Sequence, residues 1–227
     1  MGKKLLKLIM KKILIIISIF LISTQNLHAQ TEVKKPEEVF TMIFNVAMKK
    51  DKTLLNTLNN YTPRIVDDYK IDNDDFNIAS RGAFDGVSKE ALDICKKEII
   101  DLNAVINNAL ANTAITIISK KTIPDEYNLP GKMVEITYLA NFIVPQRLED
   151  MERSEIKNVT PAEFKKFLLQ TINELKKADK KVEVKMDFTL RQIIKDDKIY
   201  YTTSSSEELR SDIIKSYFMS LIDIAKK

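Results

Sequence analysis

From Lys181 to Arg191 the chain alternates without a break. Val182, Val184, Met186, Phe188 and Leu190 are apolar; Lys181, Glu183, Lys185, Asp187, Thr189 and Arg191 between them are polar. Successive side chains of a strand point to opposite faces, so this stretch must set one face on a core and the other in water. That arrangement belongs to an antiparallel sheet with one solvated face. A second stretch repeats the pattern: Val134, Ile136, Tyr138, Ala140, Phe142 and Val144 alternate with Glu135, Thr137 and Asn141, and Pro145 ends it. Ala114 to Lys121, rich in Ile and Thr, predicts the strand before it, with Pro124, Pro130 and Gly131 marking the connection. Asp196-Asp197 predicts a tight turn into a last strand, Lys198 to Thr203.

Helical spacing fills the rest. Pro36 to Met48 opens with Pro and two acids and is followed by Lys49 and Lys50, the charge order that suits a helix. Val39, Phe40, Met42, Ile43, Phe44, Val46 and Ala47 cover so much of its circumference that it must be buried on several sides. A short helix is expected near Lys52 to Asn59. A longer one runs from Ser88 to about Leu110, with Leu92, Cys95, Ile99, Leu102 and Ile106 on one face. Periodicity fails between Ile71 and Val87, which reads as a loop. Gln146 to Asn158 reads as a charged connection. Thr160-Pro161-Ala162-Glu163 is a capping box for a helix to about Ala178, with Phe164, Phe167, Leu168, Ile172 and Leu175 as its apolar stripe. A second box at Ser205 to Glu208 starts a last helix bearing Leu209, Ile213, Tyr217, Leu221 and Ile224. The order predicts an α+β domain: residues 30–111 mainly helical, residues 112–227 hairpin, helix, hairpin, helix, the two hairpins making one four-stranded antiparallel sheet covered on one face by helices.

The first 29 residues read as an address rather than as part of that domain. Five lysines and no acid surround or precede the apolar run Ile13 to Ile22, and Leu27-His28-Ala29 supplies a small-residue exit. These are the three parts of a secretory signal peptide. A membrane-spanning helix needs ~20 mostly apolar residues, and Lys7, Lys11 and Lys12 interrupt the segment too early. The exit sequence resembles signal peptides of Gram-negative bacteria, so the expected location is periplasmic or secreted, with membrane contact only transiently through the leader.

Cleavage after Ala29 changes the chemistry. The full chain has 36 basic and 32 acidic residues; without five lysines it has 31 against 32, a net charge of −1. A near-neutral domain lacks the basic footprint that nucleic acid requires. The only His, His28, leaves with the leader, and the chain has no Trp. Triads with a His base, Cys-His dyads and His-ligated metals are then excluded. One Cys makes no internal disulfide. Cys95 lies in an apolar stripe with no His to activate it, so it is expected to pack rather than react.

Other constellations fall short of chemistry. Asp67, Asp68, Asp72, Asp74 and Asp75 form an acidic cluster, but an EF-hand starting at Asp72 would place Gly at 77 and Glu at 83, where the chain has Asn77 and Ala83. Ser154-Glu155-Ile156-Lys157 matches a Ser-x-x-Lys pattern without its supporting motifs. Gly82 to Gly86 has neither the length nor the Lys of a phosphate loop. No two carboxylates are paired in sequence as a glycosidase would pair them in space. No catalytic, cofactor-binding or metal residue is assigned, and no cofactor is implied. Tyr138 and Tyr201, on strands, are the candidate pocket residues.

Pro36-Glu37-Glu38-Val39-Phe40, then Ala47, Lys49-Lys50-Asp51 and Leu54-Leu55, resemble the opening of secreted nuclear-transport-factor-2-like proteins. The resemblance covers about 25 residues. It implies an N-terminal helix pair packed into a curved antiparallel sheet, a cystatin-like cone enclosing a pocket. Enzymes of that family use an Asp or His in the cone; no position here matches, so no catalytic residue is carried over. The expected function is a non-enzymatic exported domain that binds a small ligand or an envelope protein. The alternative is an envelope enzyme using carboxylate, Lys or Tyr chemistry in a sheet-lined pocket.

Overall fold

In the computed structural model, residues 33–62, 77–78, 84–125, 129–148, 159–203 and 206–226 are described. The leader, the Asp67–Asp75 cluster, Ser154-Lys157 and the Ser205 cap lie outside them. Residues 34–227 form one compact unit.

The alternating stretches are strands, and they join in one sheet. β1 (Ala114–Ile123), β2 (Lys132–Val144), β3 (Lys180–Lys195) and β4 (Lys198–Thr202) lie side by side in chain order, all antiparallel. Register follows the hydrophobic pattern: Val134 faces Leu190, Ile136 faces Phe188, Tyr138 faces Met186 and Ala140 faces Val184 across β2 and β3. A one-residue slip would turn every one of these side chains into water. β3 and β4 are joined by Asp196 and Asp197, both left-handed at φ 52° and 57°. Two positive φ values in a two-residue loop give the turn whose twist matches the strands. β1 carries a bulge between Ile117 and Ser119, which leaves Ile118 out of register and half in solvent.

The helices are α1 (Pro36–Lys49), α2 (Lys52–Leu58), α3 (Lys89–Ile94), α4 (Lys96–Ala111), α5 (Pro161–Lys176) and α6 (Ser206–Ala225). All seven apolar residues expected to bury on α1 do so, and Met48 joins them. Its first turn is fixed by the Glu38 carboxylate, which accepts from the Lys35 N–H at 2.7 Å. α1 and α6 lie on the apolar face of the sheet. The Phe40 ring meets Tyr138 at 4.8 Å and Phe188 at 5.1 Å, and Phe142 meets Tyr217 of α6 at 5.7 Å. Leu209, Ile213, Tyr217, Leu221 and Ile224 of α6 are all buried.

One helix departs from expectation. The segment after Ser88 is not continuous: Cys95, at φ −94° and ψ 15°, separates α3 from α4. The buried face is Ala91, Cys95, Glu98, Leu102, Ile106 and Leu110, while Leu92 and Ile99 are only half-buried. Glu98 therefore sits inside the stripe, where Lys165 of α5 meets its Oε1 at 2.9 Å. That hydrogen bond holds the Glu98 carboxyl below the usual carboxylate range. A lowered native pKa stabilises at neutral pH, and the contribution is lost as the pH falls through that lowered value.

The box at Thr160 forms as read. Thr160 Oγ1 accepts from the Glu163 N–H at 3.3 Å, Glu163 Oε2 accepts from the Thr160 N–H at 2.9 Å, and Pro161 takes the first helical position. Thr160→Ala is expected to cost about 1 kcal/mol in a urea titration, with an unchanged slope.

Candidate functional site on the sheet

The two candidate tyrosines are core residues. Tyr138 is 0% exposed and Tyr201 1%. Tyr138 pairs with Met186 and Tyr201 with Gln192, so they lie six positions apart along β3, on the order of 20 Å. The structure does not bring them together. The Tyr201 hydroxyl donates to the Lys34 carbonyl at 2.7 Å, and its backbone N–H donates to the Tyr61 carbonyl at 2.6 Å. The Tyr138 hydroxyl is buried without a hydrogen-bond partner, as is that of Tyr217.

Burial, then the charges of Asp212 and Asp187, push ionisation of Tyr138 far up. Tyr201 is pushed up to about 12, by burial first and by Glu37 and Glu38 second. A general base works best with a pKa near the working pH, and neither phenol has one. Tyr138→Phe is accordingly expected to be neutral or to stabilise by up to about 1 kcal/mol, because it removes an unpaired buried hydroxyl. Tyr201→Phe should cost about 1 kcal/mol, because it removes the buried hydroxyl's bond to the Lys34 carbonyl. Thermal melts of the two variants check the opposite signs.

Cys95 packs. It is fully buried, its Sγ lies 3.5 Å from the Pro161 carbonyl oxygen, and burial, with Glu98 second, raises its pKa. A raised thiol pKa opposes reactivity. Phe84 to Gly86 make a turn, closed by the Val87 N–H on the Phe84 carbonyl at 3.0 Å.

Two surface clefts are small. One, about 140 Å³, is lined by Met48, Lys49, Asn107, Leu110, Arg210 and Ile214; the other, about 150 Å³, by Arg147, Leu148, Gln170, Thr171 and Glu174. Ligand pockets run to roughly 300–1,000 Å³. Among the described residues no cluster of three or more His, Cys, Asp or Glu side chains is placed to hold a metal ion. Among them also, no helix is long and apolar enough to cross a membrane.

The face of the sheet opposite α1 and α6 carries bonded polar residues, with Met133, Leu139 and Ile143 of β2 interspersed among them. Its residues form rows across the strands. Lys121 meets Glu135 at 2.7 Å, with Thr189 beyond. Thr137 donates to Asp187 at 2.6 Å. Asn141, flanked by Ala114 and Glu183, donates to the Thr116 hydroxyl and the Leu139 carbonyl, both at 3.3 Å. At one end Arg191 grips Asp125 with two bonds, at 2.6 and 3.0 Å, and reaches the Leu129 carbonyl at 3.2 Å, tying the β1–β2 connection down. Thr137 and Asn141, on the central strand β2, are buried although they belong to this face. The alternation of polar residues marks the face in the sequence; which of them bond needs the cross-strand register.

The three edges of this sheet differ. β1 defends its edge with the bulge at Ile118 and with Lys120 and Lys121, two devices that resist pairing with another chain. β4 is closed at Tyr201 by the Tyr61 carbonyl. β3 is paired with β2 from Lys180 to Gln192, but with β4 only from Arg191 to Lys195. From Lys180 to Leu190 it has one strand neighbour among the described residues.

No family model, no curated protein and no solved structure matches this chain.

Proposed function

We propose that the chain is exported through its leader and that its domain works by binding an envelope protein on the polar face of the sheet, without catalysis. The observation that carries this is the face itself: a broad surface of paired polar rows, held in place by the central strand and by the Arg191 clamp. Preorganised polar groups lose little entropy on binding and set the register of a partner. The burial of both candidate phenols in the core supports a protein partner over a small ligand held between them. The resemblance to nuclear-transport-factor-2-like proteins belongs to the same proposal, supported by a helix pair, α1 and α2, beside an antiparallel sheet.

The test places a photo-crosslinking residue at Ser119 or Thr189 on the face and, as a control, at Lys166 on α5, in cells that produce the full chain. The expected result is one discrete envelope protein joined from the face positions and not from the control. Equal labelling from all three positions would overturn the choice of face. A stoichiometric small molecule retained in native mass spectrometry would replace the protein partner by a ligand. Turnover of that molecule would replace the binding domain by an enzyme.

A further inference from the structure

Among the described residues the edge of β3 that continues beyond β4 has no strand partner, and it has a direction and a code. The Tyr201 N–H points away from β3, to Tyr61, so the Gln192–Tyr201 pair is one whose backbone groups do not face each other. Arg191, Ile193 and Lys195 are then the β3 residues that turn their N–H and C=O toward β4. The β2–β3 register runs from Lys180 to Gln192 without a shift. By alternation, Lys181, Glu183, Lys185 and Asp187 present their backbone donors and acceptors on that same edge, beyond the end of β4.

We propose that this edge pairs with the same edge of a second copy of the chain, antiparallel, about a two-fold axis through Val184. The side chains of this stretch are self-complementary in that register. Lys181 falls opposite Asp187 of the second copy, and Glu183 opposite Lys185. The two-fold repeats both, so each of the four charges meets its opposite. On the other face Val182 meets Met186, and Val184 meets Val184; all three are half-buried in the single chain and would be covered. These four charged residues are also the ones whose backbone groups point outward, so their pairs exchange about eight backbone hydrogen bonds.

Neighbouring registers fail. Centring on Glu183 sets Glu on Glu and Lys181 on Lys185; centring on Lys185 sets Lys on Lys and Glu183 on Asp187. Like charges directly opposite destabilise a strand pair, and opposite charges support it. The β1 edge offers no such code, since Ala114–Ile123 contains two lysines and no acid. Within one chain Lys181 already bonds Glu183 at 2.7 Å, so pairing exchanges that contact for ones across the axis. β4 ends at Thr202 opposite Arg191, four residues past Asp187, which leaves the pairing segment clear of it. The product is one continuous sheet of eight strands with α1 and α6 of both copies on one side, and the polar face doubled. The inference stands on the strand edge and does not depend on the envelope-partner reading.

Sedimentation equilibrium of the protein produced from the full-length chain tests it. A concentration-dependent dimer is expected, since one strand pair is a small interface. Lys185→Glu should weaken it about tenfold or more, because the exchange turns two attractive pairs into repulsive ones. Adding Glu183→Lys to that variant should restore it, since the reversed pair is again complementary. Under mild oxidation Val184→Cys should form a disulfide-linked dimer, as the axis brings the two positions within the 4.4–6.8 Å Cα separation a disulfide needs, while Met186→Cys should not. A monomer at all concentrations together with no Val184→Cys link would overturn the proposal. Linking through Met186→Cys instead, or a double variant no better than the single one, would overturn the register.

Discussion

Phe40→Ala is expected to remove about 3–5 kcal/mol of folding stability, the usual cost of deleting a fully enclosed aromatic ring. Phe40 is 0% exposed and lies between α1 and the sheet, its ring 4.8 Å from Tyr138 and 5.1 Å from Phe188. The cost depends on how far the surroundings can close on the cavity. Here both sides are stiff: the sheet is fixed by its ladder, and α1 is buried on so many sides that it cannot settle inward without pushing into α6 or α4. Domains carry about 5–15 kcal/mol in total, so the variant should lose at least about a fifth of that and unfold at a markedly lower temperature. Met219→Ala, on an exposed site of α6, is the control and should shift stability by less than about 0.5 kcal/mol. Urea unfolding at constant slope measures both. A loss below about 1 kcal/mol for Phe40→Ala would mean that the ring is not enclosed.

Gly131→Ala should be the most damaging single-methyl change. Gly131 has φ +108°, where an L side chain is strained by about 1–3 kcal/mol. A Cβ there would also fall inside contact distance of the Gln192 carbonyl oxygen, with the Gln192 carbonyl carbon 3.2 Å away and Ile193 Cγ1 3.3 Å away. The first two are backbone atoms of β3, and Gln192 is held by its pairing with Lys132. They cannot swing aside as a side chain would. Overpacking of this kind adds about 1–3 kcal/mol. The expected outcome is a total loss of about 2–6 kcal/mol, with faster amide exchange at Lys132 to Val134. Protection unchanged at those amides would show that the connection yields without disturbing the ladder.

The sheet was legible because its period is two and its strands are long. Each of Val182, Val184, Met186, Phe188 and Leu190 lies on the helix-facing side of β3, and Asp196-Asp197 makes the turn. α1 was legible from its stripe and terminal charges, α5 from its stripe and cap, and α6 from its stripe. The break at Cys95 was not: the apolar residues on either side fit an unbroken helix, and the actual buried face includes Glu98, which an apolar template rejects. Only the tertiary position of Lys165 makes that carboxylate tolerable. The candidate site was legible only in part. Alternation placed Tyr138 and Tyr201 on strands, but whether Tyr138 lines a pocket or a packed core depends on Phe40, which comes from a helix almost a hundred residues earlier in the chain. The open edge of β3 follows from strand lengths and register, which alternation alone does not give.

The bonds from Tyr201 to Lys34 and Tyr61 also set an order of events. The hydroxyl contact joins positions 167 residues apart, and α6, the last of the described elements, covers the same face of the sheet as α1, the first of them. Helix α1 therefore has no complete surface to bury against until nearly the whole chain exists. Contacts of such long sequence separation are paid for late in folding and slow it. A chain made N-terminus first therefore leaves the core side of α1 uncovered until α6 has been made.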